Sequence, residues 1–132
     1  MLQNHNYPST GWTLHNLGQV YSSLGKTEQA QEYYKRAFNI RKKVRDRRGV
    51  GWTLHNLSEL FYNQQQYDLA LATLLVAQKI FEEAQSQASM TVQTSIDDLD
   101  SKIGDKSFNR LLSKIKPQAD QIVEQTLSKK AP

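Results

Sequence analysis

The sequence predicts an all-α solenoid of stacked antiparallel helix pairs that ends in a capping helix. A seven-residue phrase, GWTLHNL, occurs at residues 11–17 and again, unchanged, at 51–57. Between and after the two copies, apolar residues recur at steps of three and four, which is the spacing of an α-helix, and no stretch alternates with the period of two that indicates a strand. A fixed period of this size is the signature of a stacked repeat.

The repeat extends beyond the phrase. Aligning 11–50 with 51–90 gives ten identities in forty positions, seven of them in the phrase. The other three are Ala30 with Ala70, Ala37 with Ala77, and Ile40 with Ile80. Small alanines at these positions suit the close approach of two paired helices. We therefore predict a first repeat at about 8–46 and a second at about 48–86.

Each repeat divides into two helices joined by a tight turn. In the first repeat, Gly25 and Lys26 interrupt the helical spacing of apolar residues, and in the second a polar stretch at 63–66 does so. The apolar positions of the first repeat are Leu14, Leu17, Tyr21, Leu24, Ala30, Tyr34, Ala37, Ile40 and Val44. Those of the second are Leu54, Leu57, Phe61, Ala70, Leu74, Ala77, Ile80 and Ala84.

These residues also form a known pattern. The positions in the first repeat are Leu17, Gly18, Tyr21, Gly25, Ala30, Tyr34 and Ala37, and in the second Leu57, Ser58, Phe61, Tyr67, Ala70, Leu74 and Ala77. The arrangement resembles the tetratricopeptide repeat. The second repeat departs from it at Gln65, where the turn glycine is missing. A period of forty, against about 34 in the usual repeat, resembles the longer-helix branch found in kinesin light chains and large bacterial arrays.

The resemblance implies a single right-handed superhelical domain over 1–132 that acts as a noncatalytic interaction module or scaffold. In this family the concave surface commonly holds an extended peptide, and asparagines at the positions of Asn16 and Asn56 typically bind its backbone. The carboxylate-binding version of the family needs lysines and an arginine here. This chain has His15, Gln19 and Glu59 instead, so an acidic C-terminus is not the expected ligand.

A helix that starts near residue 8 places one set of side chains on a face away from the core, and the second repeat places the matching set beside it. The candidate groove residues are Trp12, His15, Asn16, Gln19, Trp52, His55, Asn56 and Glu59. The tryptophans either add apolar area to this groove or pack between repeats, and their high average burial favours packing. The asparagines either bind a partner or connect helices, and their polarity on an amphipathic helix favours binding.

The repeat pattern fades after residue 86. We expect a degenerate third repeat and a capping helix at about 87–129, because the ends of a solenoid need a different outer surface. The outer helix of the second repeat is apolar nearly all round, through Leu69, Leu71, Leu75 and Val76. Such a helix must be covered. Segment 105–129 is the favoured cover, and a second copy of the chain is the alternative.

A basic run gives an alternative function from another class. The chain carries a net charge of +4, and its candidate basic patch is Arg41, Lys42, Lys43, Arg45, Arg47 and Arg48. Such a run binds nucleic acid or acidic surfaces in some proteins. A solvated helix end is the simpler interpretation, because cations also complement the helix dipole. A third possibility is a purely structural fragment of a longer array.

Other chemistry has no support in the sequence. There is no cysteine, and no histidine has ligands at metal-binding spacing. Phosphate-loop and nucleophile motifs are absent, so we expect no cofactor, no metal and no enzyme activity. The chain also lacks an apolar run long enough to span a membrane and a signal peptide. We therefore expect a cytoplasmic protein with a protein or peptide partner and no membrane partner.

Overall fold

The computed structural model of the chain describes residues 7–128, and all regular structure within them is helical. The helices are α1 Tyr7–Ser23, α2 Thr27–Lys43, α3 Arg47–Asn63, α4 Tyr67–Glu83, α5 Ala88–Ile103, α6 Asp105–Ile115 and α7 Ala119–Leu127, with a 3₁₀ turn Lys116–Gln118 before α7. The strongest packing joins α1 to α2 and α3 to α4. This confirms the all-α solenoid of helix pairs.

Helix length explains the period of forty. Each of the first four helices has 17 residues. Three residues separate α1 from α2, α2 from α3, and α3 from α4. One helix and one turn therefore take twenty positions, and a pair of helices takes forty. The longer period thus comes from longer helices and not from an insertion in a loop.

The four turns that end α1 to α4 share one geometry. A residue with positive φ recurs every twenty positions, at Gly25, Arg45, Gln65 and Gln85. In the first turn the amide of Lys26 donates to the carbonyl of Tyr21 at 2.9 Å, and that of Gly25 donates to Ser22 at 3.0 Å. This is a Schellman motif, which satisfies the last carbonyls of a helix. Gln65 adopts the same turn with φ 63°, so the missing glycine costs backbone strain but does not change the fold.

The core lies between the inner helices α1, α3 and α5 and the outer helices α2 and α4. Ala30, Ala37, Ala70 and Ala77 are all fully buried, as their spacing predicts. The glycine that opens the phrase has a similar purpose, because a Cβ on Gly51 would lie 2.7 Å from the ring of Phe81. The phrase therefore begins with glycine where the end of the outer helix crosses close to the inner helix.

The C-terminal segment packs against the outer helices. Leu71 is fully buried, and Leu69, Leu75 and Val76 are half-buried against the core. Helix α7 contacts both α4 and α2. Its contacts include the ion pairs Lys42–Glu124 at 2.6 Å and Lys79–Asp120 at 3.3 Å, and Asn39 donates to the Leu127 carbonyl at 3.0 Å. The intramolecular cover is thus the one observed. Residues 129–132 lie outside the described part of the chain.

Candidate functional site

The histidines of the repeated phrase lie inside the stack of helices. His15 and His55 are both buried, although the sequence places them on the polar face of their helices. Each one bonds to a residue of the following unit, about forty positions later: His15 to Thr53 and Asn56, and His55 to Ser95. The repeat of the histidine therefore corresponds to a repeated contact between neighbouring units and not to an exposed binding surface.

The first of these contacts is part of a buried network, the polar junction, made by His15, Arg41, Thr53, Asn56 and the carbonyl of Gly49. Nη1 of Arg41 donates to the Gly49 carbonyl at 3.0 Å and to Thr53 Oγ1 at 3.1 Å. The same atom lies 3.3 Å from Nδ1 of His15. One guanidinium thus joins α1, α2 and α3. Asp46 supports it with a carboxylate oxygen 3.8 Å from Nε.

These contacts determine the protonation of His15. An arginine can only donate hydrogen bonds, so Nδ1 of the neutral ring accepts and the proton lies on Nε2. Nε2 lies 3.0 Å from Nδ2 of the Asn56 side-chain amide. Two N–H groups cannot bond to each other, so the amide must be turned by 180°, and its oxygen then accepts the hydrogen bond from Nε2. The amide nitrogen of Asn56 is then available to the hydroxyl of Tyr34, to which Asn56 also bonds.

Burial first, and then the positive charge of Arg41, lower the pKa of His15 from 6.5 to about 4. The imidazole is therefore neutral at physiological pH. A proton on the ring would place a second positive charge against the guanidinium without a counter-charge at contact distance. Protonation of His15 therefore destabilises the polar junction.

Acidification should destabilise the protein through His15. Between pH 6.5 and about 4 the unfolded chain binds a proton on His15 that the folded chain does not. The free energy of unfolding should therefore fall as the pH is lowered through this window, with the loss complete below about pH 4. A pKa difference of this size corresponds to about 3–4 kcal/mol. Denaturant unfolding at a series of pH values measures it.

His15→Gln is the control for this prediction, because it removes the titrating group and leaves the other acidic and basic residues in place. The difference in stability between the native chain and the variant should shrink as the pH falls from 6.5 to 4. Parallel stability curves for the two proteins over that range would contradict the role assigned to His15.

The second contact between units is simpler than the first. His55 Nε2 lies 2.9 Å from Ser95 Oγ. Phe81 takes the position that Arg41 occupies in the first repeat, and its ring lies 5.2 Å from that of Trp52. Nδ1 of His55 has no hydrogen-bond partner within residues 7–128. Among the residues that the structure describes, the junction between the first and second repeats alone carries a buried guanidinium.

The two tryptophans are not buried between repeats. Trp12 is 61% exposed and Trp52 is 40% exposed. The ring of Trp52 packs on one side against Phe81 and His55. The prediction that the tryptophans are buried between repeats is therefore wrong for Trp12. Trp52 is only partly buried.

An open groove of about 630 Å³ crosses the inner helices. It receives side chains from α1, α3 and α5, that is, from three successive units, and one from α4. Its lining residues are Ser22, Ser58, Glu59, Tyr62, Asn63, Leu74, Ser95, Asp98, Ser101 and Lys102. We call this the inner groove. Nearly all of its side chains can donate or accept hydrogen bonds, and the charged residues in its lining are Glu59, Asp98 and Lys102.

The inner groove includes one of the predicted groove residues, Glu59. Gln19 is exposed, and Asn16 and Asn56 are both half-buried, with the side-chain amide of Asn56 bonded to His15. Sequence reasoning missed Tyr62 and Asn63, which follow Glu59 by three and four positions and so share its helix face. It also missed Asp98, which belongs to the unit with the weakest repeat pattern.

The residues of the predicted basic patch do not form one exposed cluster. Arg41 is buried in the polar junction, while Lys42 pairs with Glu124 and Arg47 with Glu83. Arg41, Lys42, Arg45 and Arg47 line a cleft of about 510 Å³ that also contains Asp46, Asp120 and Glu124. Lys43, Arg45 and Arg48 are exposed. Carboxylates thus offset much of the positive charge that the run has in the sequence.

Within residues 7–128, no group of three or more histidine or acidic side chains has a metal-binding arrangement. Over the same range, no helix is both long enough and apolar enough to cross a membrane.

The family model of the tetratricopeptide repeat matches residues 9–83, which is more than half of the chain. The chain therefore belongs to the tetratricopeptide repeat family, whose members are in general noncatalytic protein–protein interaction modules. No curated protein and no solved structure matches it. The resemblance to the longer-helix branch stays a prediction.

Proposed function

We propose that this chain binds an extended segment of a partner protein in the inner groove. The observation that carries the proposal is the groove itself, which is continuous across α1, α3 and α5 and open to solvent. A segment lying along it would contact three units at once. This arrangement suits a solenoid, whose stacked units form a long concave binding surface.

The chemistry of the groove suits a peptide backbone. An extended chain presents unpaired amide and carbonyl groups along its length. The hydroxyl of Ser22 and the side-chain amide of Asn63 can each donate and accept hydrogen bonds. Trp12, exposed on α1, offers a large apolar surface for a side chain of the partner.

The asparagines of the phrase have different roles in this proposal. Asn56 bonds to His15 and Tyr34 and so maintains the helix packing beneath the groove. Asn16 has no such partner among the described residues and is half-buried. We therefore propose that Asn16, Gln19, Glu59 and Asn63 contact the partner, and that Asn56 positions the helices that carry them.

We do not favour the alternative of nucleic acid or acidic-surface binding. The positive charges that would contact phosphates are partly neutralised by Glu83, Asp46 and Glu124. A protein that contacts several phosphates loses affinity steeply as salt is raised. A groove that holds a peptide backbone by neutral hydrogen bonds should be much less sensitive to salt.

The test uses peptides selected from a displayed random library against the full chain. Combined Glu59→Ala and Asn63→Ala substitutions should weaken a selected peptide about tenfold or more, because each lost hydrogen bond contributes about 0.5–1.5 kcal/mol. Both side chains are exposed, so stability should change little. Calorimetry at two salt concentrations measures the affinities.

Arg48→Ala is the matched control, since Arg48 is exposed in the basic run and does not line the inner groove. It should leave peptide affinity unchanged. Selected peptides that are acidic, that lose affinity with Arg48→Ala and that bind the groove double variant normally would reject the inner groove in favour of the basic patch.

A further inference from the structure

The inner groove and the chain as a whole differ in the sign of their charge. The chain has 17 lysines and arginines against 13 acidic residues, which gives a net charge of +4. Of the lysines and arginines that the structure describes, Lys102 alone lines the inner groove, whereas two exposed carboxylates, Glu59 and Asp98, line it. The groove is therefore acidic within a basic protein, and a bound segment has to complement that charge.

Glu59 has no positive charge near it on α1 or on its own helix. Helix α1 contains no lysine or arginine, and burial and the charge of Arg41 keep the imidazole of His15 neutral by lowering its pKa to about 4. On α3 the basic residues are Arg47 and Arg48, in the first turn. The rise of an α-helix places Arg48 about 16 Å from Glu59 along the axis. This separation exceeds the Debye length of about 8–10 Å in ordinary salt.

The lysine of the inner groove belongs to α5 and not to the helix of Glu59. Lys102 follows Asp98 by four positions, so the two side chains share one helix face and their charges largely offset each other. Within residues 7–128, no ion pair joins Glu59 or Asp98 to a cation. Glu59 is thus an exposed carboxylate that the described part of the chain leaves unpaired.

An aromatic ring lies one turn from this carboxylate. Tyr62 follows Glu59 by three positions, which places both side chains on the same face of α3, and both line the inner groove. The ring of Tyr62 is half-buried and packs edge-on against the ring of Tyr67, with the centroids 5.9 Å apart. A carboxylate beside an aromatic ring suits a guanidinium, which can donate to the carboxylate and stack on the ring at the same time.

We propose that the segment bound in the inner groove is basic and places an arginine against Glu59 and Tyr62. This inference rests on the proposed function and names the class of partner, an extended and positively charged segment of a protein. An acidic segment would place like charge against Glu59 and Asp98. A neutral segment would cover Glu59 without pairing it, and burial of an unpaired carboxylate is costly. The groove therefore selects a basic segment by attraction and also by the penalty that it imposes on the others.

Peptides selected from a displayed random library against the full chain test the inference. They should be enriched in arginine, and the tightest should lose affinity about fivefold or more when one arginine is replaced by glutamine. Glu59→Gln removes the charge but keeps the size of the side chain, and it should cause the same loss. The two changes together should cost little more than either alone, because both remove one interaction. Calorimetry measures the four affinities.

Asp97→Asn is the matched control, because Asp97 is an exposed carboxylate on α5 that does not line the inner groove. It should leave the affinity unchanged, and a loss equal to that of Glu59→Gln would overturn the role of Glu59. Asn63→Ala reports separately whether a peptide occupies the groove. Peptides that Asn63→Ala weakens but that lack a basic residue, or that Glu59→Gln leaves unaffected, would overturn this inference and leave the proposed function standing. Peptides that neither substitution weakens bind elsewhere and would overturn both.

Discussion

Replacing Arg41 by alanine should lower the free energy of unfolding by about 3–5 kcal/mol, the range for removing one member of a buried charged network. The substitution takes away the guanidinium that donates to the Gly49 carbonyl and to Thr53 Oγ1 inside the buried polar junction. It also removes the aliphatic part of the Arg41 side chain. This part packs so closely against Gly11 that a Cβ on Gly11 would lie 2.9 Å from Arg41 Cγ. Denaturant unfolding monitored by helicity measures the loss.

Two further variants make this prediction specific to the polar junction. Arg48→Ala removes the same charge from an exposed position on α3 and should change stability by no more than about 0.5 kcal/mol. Arg41→Met keeps most of the volume but none of the donors, so it should retain much of the loss. Equal and small effects of Arg41→Ala and Arg48→Ala would show that Arg41 acts only as one charge in a solvated run.

The fold was largely predictable because apolar spacing depends on helix geometry alone. Ala30 and Ala70 recur forty positions apart, and both are fully buried where two helices approach. The cover of α4 could also be anticipated. A helix with Leu71 and Val76 on different sides cannot expose all of its surface to water, and the apolar residues of the C-terminal segment were the nearest cover in the chain.

The polar junction was not predictable from the same reasoning. His15 and Asn56 both lie on the polar side of a helix, and the sequence gives no reason to pair them across 41 positions. Arg41 stands in a run of basic residues that favours solvent exposure. Their burial depends on a neighbouring repeat that supplies partners, and a helix considered alone has no such neighbour.

One signal in the sequence does separate Arg41 from the rest of the basic run. Superimposing the repeats aligns Arg41 with Phe81, an aromatic core residue. A position that is apolar in one repeat is generally internal in the other, so a charged residue there must find partners. Comparison of the two repeats thus indicates burial where the local charge pattern indicates exposure.

The inner groove was predictable only in part for a related reason. Glu59 follows from the helix face alone, and Tyr62 and Asn63 extend that face by one turn. Ser95 and Asp98 depend on how α5 stacks beside α3. The unit that contains α5 has lost most of the repeat pattern, so its register could not be transferred from the first two repeats.

Charging the buried side of α7 should undock it. Val123 and Leu127 are almost fully buried against the outer helices, and burial of each such side chain contributes about 1.5–3 kcal/mol. Val123→Asp combined with Leu127→Asp should therefore cost about 3–6 kcal/mol, and more if the carboxylates are forced to stay buried. The undocked helix would expose Phe38, Val76 and Ile80, so the variant should bind a hydrophobic dye and aggregate.

Gln121→Asp combined with Gln125→Asp is the matched control, because it adds the same charge at the same spacing on the exposed side of α7. This control should remain monomeric under dilute conditions and should unfold within about 1 kcal/mol of the native chain. If the Val123 and Leu127 variant matches the control in stability, dye binding and sedimentation, then the outer helices do not need α7 as their cover. In that case the apolar surface of α4 must be shielded by α6 alone, through residues such as Phe108 and Leu112 that lie against it.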